Sequence, residues 1–249
     1  MGKKKKWESL LEEFLFMKKA EGRAETTIND YDFHVNLFFN RFPIALKNEK
    51  ELKISVYEHL AAVSDKSATT FNIRREYLHS FCNWMVKEEV IKQNPVTGIP
   101  KKKNEGKIRN VDPETLKKLI SLPNLKTFSG LRDYALFLTT LDTGVRPKEA
   151  FSILPEDVNL GSLEITIRAK TAKTSVARTL PISPSTARAI NRLIDVRLEE
   201  WTKEVPVFCT YLGTEMNRKA WAHRMNQYSK KLDFKIRPYD LRHTFFAHQ

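Results

Sequence analysis

Residues 94–107 divide this chain in two. Asn94-Pro95-Val96-Thr97-Gly98-Ile99-Pro100 strings helix breakers together, and Lys101-Lys102-Lys103-Asn104-Glu105-Gly106-Lys107 follows as a run of charge. Proline removes a backbone donor, glycine adds conformational freedom and neighbouring lysines repel, so neither a helix nor a strand is expected to pass through. A chain of 249 residues cut at that point has to bury two cores rather than one. The expected organisation is a domain over residues 1–98, a basic linker over 99–110 and a second domain over 111–249. The linker is either a solvated connection or a segment that follows a polyanionic backbone.

Before the break, apolar residues keep helical spacing. Leu10, Leu11, Phe14 and Leu15 form one set, and Ile28, Tyr31, Val35, Phe38 and Phe39 form a second behind Thr26 and Thr27 as N-caps. A third helix is expected from Glu49 to Val63, and a longer fourth from its cap Ser67 through Phe71, Leu78, Phe81 and Trp84 to Glu89. Phe38, Phe39, Phe42 and Trp84 are read as core rather than as base-stacking platforms.

After the break the pattern is mixed. Asp112-Pro113-Glu114 supplies an N-cap, a first-turn proline and an acid that complements the dipole. A helix follows over residues 130–141. Leu163 to Arg168 alternates as a strand, Ala177 to Ile182 is its expected partner, and residues 169–176 become a hairpin tip. Helices over 184–200, 217–232 and from Tyr239 onward complete the reading. The fold class is mainly α with a small β-sheet: an all-helical N-terminal domain followed by a mixed α+β domain.

Charge narrows the partner. The formal net charge is +13, and it is unevenly spread: residues 1–100 hold 16 Lys and Arg against 14 Asp and Glu, while residues 101–249 hold 27 against 16. A polyanion is implied, nucleic acid ahead of an anionic membrane surface. Lys3 to Lys6 form either a solvated end or an arm that tracks phosphates. Cys82 and Cys209 are far apart in apolar stretches, which argues against a disulfide framework and for a reducing compartment. With no apolar segment behind the N-terminal lysines and no run of membrane-spanning length, a cytoplasmic protein without membrane attachment is expected. His34, His59, His79, His223 and His248 lack metal-ligand spacing and read as surface or partly buried structural residues.

The residues that can carry chemistry lie in two segments of the second domain. Thr143-Gly144-Val145-Arg146-Pro147-Lys148-Glu149 and Tyr239-Asp240-Leu241-Arg242-His243-Thr244 each set an arginine at the expected start of a helix, where backbone N–H groups and the dipole favour an anion. Two such arginines can clamp one phosphate, because the planar guanidinium fork matches its oxygens. Gly144 suits a left-handed helix end and Pro147 a helix start. Glu149 is either a brace for Arg146 or an ordinary helix-surface acid. Lys170 and Lys173, in Ala169-Lys170-Thr171-Ala172-Lys173-Thr174-Ser175, are either plain turn lysines or donors of a proton to a leaving hydroxyl.

Thr-Gly-Val-Arg-Pro-Lys-Glu-Ala, then a hairpin bearing Ala-Lys-Thr-Ala-Lys-Thr and ending in Thr-Leu-Pro-Ile, then Asp-Leu-Arg-His-Thr-Phe, resemble in order and spacing the tyrosine recombinases, the phage-integrase family. The resemblance covers residues 111–249, and residues 7–98 are similar to that family's core-binding (SAM-like) domain. It implies a DNA breaking-rejoining catalytic domain and a two-domain clamp on double-stranded DNA. It also implies self-association on DNA as a dimer or tetramer, and strand exchange through a 3′-phosphotyrosyl intermediate without cofactor or metal, as befits a site-specific recombinase of a mobile element. Arg146 and Arg242 would hold the scissile phosphate, and Lys170 would protonate the leaving 5′-oxygen, with Lys173 in its place if the hairpin register differs.

Two departures from the family pattern stand out. Tyr239 occupies the position where the family commonly has histidine, and a phenol with a reference pKa of about 10 donates a hydrogen bond to phosphate but is a poor base near neutrality. His243 falls at a position the family usually packs, with a supporting catalytic part as the alternative. Further, no tyrosine follows Arg242, and Tyr211, Tyr228 and Tyr239 have the wrong chain order for the nucleophile. The expectation is a truncated chain that lacks the nucleophile and is inactive for cleavage. The alternative is a non-catalytic DNA-binding regulator of the same fold; a basic RNA-binding protein is the third reading.

Overall fold

Four helices build the first part of the chain: α1 (Trp7–Ala20), α2 (Glu25–Arg41), α3 (Glu49–Ala61) and α4 (Ala68–Lys87). The computed structural model describes residues 6–104, 111–171 and 176–247, and separates into two compact units, Met1–Gly106 and Lys107–Gln249. In the first unit Phe14, Phe38, Phe39, Phe81 and Met85 are fully buried, with Phe42 packed against them and Trp84 nearly so. Phe14 meets Tyr31 and Phe81 edge-on at 5.1 and 5.2 Å, the favoured geometry for aromatic pairs. These aromatics are core, as the spacing predicts.

Helix boundaries differ where local capping chemistry was misread. Ser67 caps α4 by accepting the Thr70 N–H, as expected, but α2 starts at Glu25 with Ala24 at the N-cap, so Thr26 and Thr27 lie inside its first turn. The Ala24 carbonyl accepts from Thr27 and Ile28, and Glu25 complements the dipole, so this helix starts without a side-chain cap. α4 ends at Lys87 because Glu89 adopts φ 56°, a left-handed conformation incompatible with continuation. His59, expected to be a surface or partly buried structural residue, is buried beside Phe38 and Phe42, and burial pushes it down to about 4, so it sits neutral in the core.

Residues 99–104 run along α4. Arg75 donates to the Ile99 carbonyl (2.6 Å), Asn72 exchanges two hydrogen bonds with the Lys102 backbone (both 2.8 Å), and Asn104 donates to Thr69 (3.1 Å). The Lys102 ammonium lies over the Phe71 ring at 4.8 Å.

The second unit holds α5 (Pro113–Ser121), α6 (Phe128–Thr143), α7 (Pro147–Ala150), β1 (Val158–Asn159), β2 (Glu164–Ile167), β3 (Arg178–Pro181), α8 (Pro184–Asp195), α9 (Arg218–Leu232) and α10 (Pro238–Ala247). The sheet is antiparallel in the order β1-β2-β3, and Ile165 and Ile167 of β2 face the core while Glu164 and Thr166 face out. β1 was not foreseen, being only two residues long, and α8 stops at Asp195 rather than reaching Glu200. Asp112 and Asn217 cap α5 and α9. α6 is packed against α8 and α10, and its contact with α10 brings Arg242 to the Gly144 turn that leads to Arg146. Cys82 and Cys209 are both buried free thiols, and burial pushes Cys82 up to about 12.

Candidate active site

Gly144 ends α6 at φ 58°, and the ring of Phe245 from α10 lies where a side chain at this position would point, so only glycine fits the turn. The reversal leaves Val145 buried and Arg146 at the N-cap of α7, with Pro147 as its first residue. Glu149 is 1% exposed. Its carboxylate accepts the Arg146 backbone N–H (3.2 Å) and Arg146 Nη1 (3.2 Å), so the bracing alternative holds and the surface-acid alternative does not. A second guanidinium reaches the same carboxylate: Arg178, the first residue of β3, donates from Nη2 to Oε2 (2.7 Å) and from Nη1 to Oε1 (3.4 Å). Its alternating position in Ala177-Arg178-Thr179-Leu180 was the available signal, and sequence reading treated it only as strand.

Arg242 closes the group. Its Nη1 donates to the Gly144 carbonyl, two residues before Arg146. Burial first, and repulsion from Arg146 second, pull Arg242 below the usual guanidinium range; Glu149 and Tyr239 oppose this and Arg178 adds to it. Three arginines, one buried carboxylate and one phenol therefore share a field. The helix-start expectation needs correction, because α7 is a single turn and Arg242 is the fifth residue of α10 rather than its first. Positive potential here comes from side chains, and the dipoles add little.

The other expected site residues are placed as follows. Tyr239 is 49% exposed on the first turn of α10. His243, one turn on, is exposed instead of packed, its ring 6.3 Å from that of Tyr239; Leu241 and Thr244 turn inward in its stead. Lys170 is exposed in the turn after β2, and Lys173 lies outside the described residues. Asp240 accepts the Arg237 N–H (2.8 Å), and Thr244 accepts the Val111 N–H (3.3 Å), which together fix the start and roll of α10.

A second ionic network went unread in the sequence. Asp133, fully buried on α6, accepts from Arg132 (Nη2, 2.7 Å), from Arg224 of α9 (Nε, 2.8 Å) and from the Tyr228 hydroxyl (2.7 Å). Burial and the Asp133 charge push the Tyr228 phenol up, so its proton is held. Tyr211 stands exposed in the turn after Cys209.

The profile of the phage integrase family matches residues 109–248, a span that contains every member of the arginine cluster. The chain belongs to the phage integrase family. As a tyrosine recombinase by family, it is 28% identical to tyrosine recombinase XerC of Actinobacillus succinogenes over 82% of this chain and 70% of that protein. It is 26% identical to XerC of Thermodesulfovibrio yellowstonii over 93% of this chain and 79% of that one. Among solved structures, the Tn1549 transposon integrase bound to transposon right end DNA superposes with a TM-score of 0.74 at 16% identity, covering 96% of this chain and 85% of that one. That likeness is one of fold: a mostly helical protein with a small three-stranded sheet.

Proposed function

We propose that this integrase is a site-specific DNA recombinase of a mobile element, gripping duplex DNA with both units and exchanging strands through a 3′-phosphotyrosyl intermediate. The observation that carries the reading is the convergence of Arg146 and Arg242 on the Gly144 turn, with Glu149 buried behind them. Two planar forks at one point suit a phosphate whose charge grows in a five-coordinate transition state. In this reading Arg146 and Arg242 hold the scissile phosphate, Tyr239 donates a hydrogen bond to it, and Lys170 or Lys173 protonates the leaving 5′-oxygen. Self-association on DNA belongs to the same proposal, as does the work of the first unit as a core-binding domain.

Binding to duplex DNA is expected to weaken steeply with salt, because residues 101–249 carry 27 Lys and Arg against 16 Asp and Glu and displace condensed counterions. Fluorescence anisotropy with a labelled duplex is expected to show at least about a tenfold loss between 50 and 200 mM salt. A salt-independent affinity would remove the DNA reading.

Residues 1–249 are also expected to bind a nicked duplex without becoming covalently attached. None of the seven tyrosines follows Arg242, and the Tyr228 hydroxyl is committed to Asp133. Denaturing electrophoresis checks this; an adduct mapped to Tyr211, Tyr228 or Tyr239 would overturn the assignment of roles.

A further inference from the structure

We propose that Arg178 is a positioning residue for Arg146: by taking up the Glu149 carboxylate, it keeps most of the Arg146 guanidinium available to a phosphate. The inference rests on the reading of Arg146 and Arg242 as the phosphate grip. A buried carboxylate next to one arginine forms a bidentate pair and cancels its charge. Here the fork of Arg178 spans both oxygens, Nη2 to Oε2 at 2.7 Å and Nη1 to Oε1 at 3.4 Å, while Arg146 spends only Nη1 at 3.2 Å together with its backbone N–H. Nε and Nη2 of Arg146 enter no hydrogen bond among the described residues, and its side chain is 27% exposed. Two guanidiniums on one carboxylate leave a net positive charge, and Arg242 adds another. Without Arg178 the carboxylate would turn wholly to Arg146 and withdraw it from the anion. The same contact ties the β2–β3 hairpin to α7, since Arg178 pairs with Ile167, the last ladder pair before the turn that carries Lys170.

The test uses residues 1–249 and inorganic phosphate, titrated against chloride at constant ionic strength and read by NMR from the arginine Nε–Hε signals. The Arg146 and Arg242 signals are expected to shift with phosphate in the unaltered chain. Arg178→Met is expected to weaken that binding at least about fivefold, whereas in a Glu149→Gln background the same substitution changes it by less than about twofold, because no carboxylate remains to be screened. Equal losses in both backgrounds would make Arg178 a direct or merely electrostatic contributor and overturn the proposal, as would unchanged affinity in Arg178→Met. Thermal melts separate these results from misfolding, and if Arg178→Met fails to fold, Arg178→Gln, which keeps a polar side chain but not the charged fork across both Glu149 oxygens, carries the same two-background comparison. Arg146 and Arg242 signals that ignore phosphate in the unaltered chain would sink the phosphate-grip reading itself, and this proposal with it.

Discussion

Arg242→Ala is expected to abolish strand cleavage while leaving most DNA affinity in place. In a form of the protein carrying the family's nucleophilic tyrosine, the loss in single-turnover cleavage should be about a thousandfold or more, the scale set by removing a preorganised charge at a phosphoryl transition state. DNA affinity should fall by less than about tenfold, because one of many backbone contacts is lost. Arg242→Lys should recover little of the rate: it keeps the charge but not the planar fork, which donates to the Gly144 carbonyl and in the proposed role would hold a phosphate oxygen as well. Arg146→Ala should behave in the same way, through the guanidinium that Glu149 orients. Cleavage within about tenfold of the parent in a folded Arg242→Ala protein would remove the arginine pair from the mechanism.

The largest stability effect is expected at Asp133→Ala. The carboxylate is wholly buried and answers two arginines and a tyrosine drawn from α6 and α9. Among the described residues, its removal leaves the buried Arg132 guanidinium with the Cys209 carbonyl at 3.1 Å as its remaining acceptor. Breaking a buried ion pair from one side costs about 3–5 kcal/mol. For a protein of this size that corresponds to a fall in melting temperature of roughly 6–20 °C, readable by differential scanning calorimetry. Arg224→Ala should cost much less, because the Arg224 side chain is 34% exposed and water replaces part of what it gives up. A melting temperature lowered by less than about 3 °C in Asp133→Ala would show that the network contributes little.

Much of the local structure was legible because short-range chemistry decides it. Ser67, Asp112 and Asn217 cap helices for the reason any Ser, Asp or Asn does, an orphan N–H three residues ahead. Gly144 and Pro147 announced the corner that places Arg146, and the alternation of Leu163 to Arg168 announced the hairpin, whose ladder pairs Ile165 with Leu180. The misreadings at Thr26, Glu89 and the end of α8 are boundary errors of two to five residues.

The arginine motifs, their order and the hairpin between them were determined by the sequence alone, and with them the family and the candidate phosphate grip. Which groups meet there was decided only in three dimensions. Glu149 could be surface or brace until the packed domain left it 1% exposed between Arg146 of its own turn and Arg178 of β3. Arg178 showed only its place in a strand, and Arg224 and Asp133 carry no local signature, because a buried charge is tolerable only when a partner from a distant element arrives to meet it, and nothing in the spacing of residues 133 and 224 records that they will touch. Local rules write helices and turns into neighbouring residues; the pairing of buried charges depends on which elements pack together, and that is settled by the core as a whole.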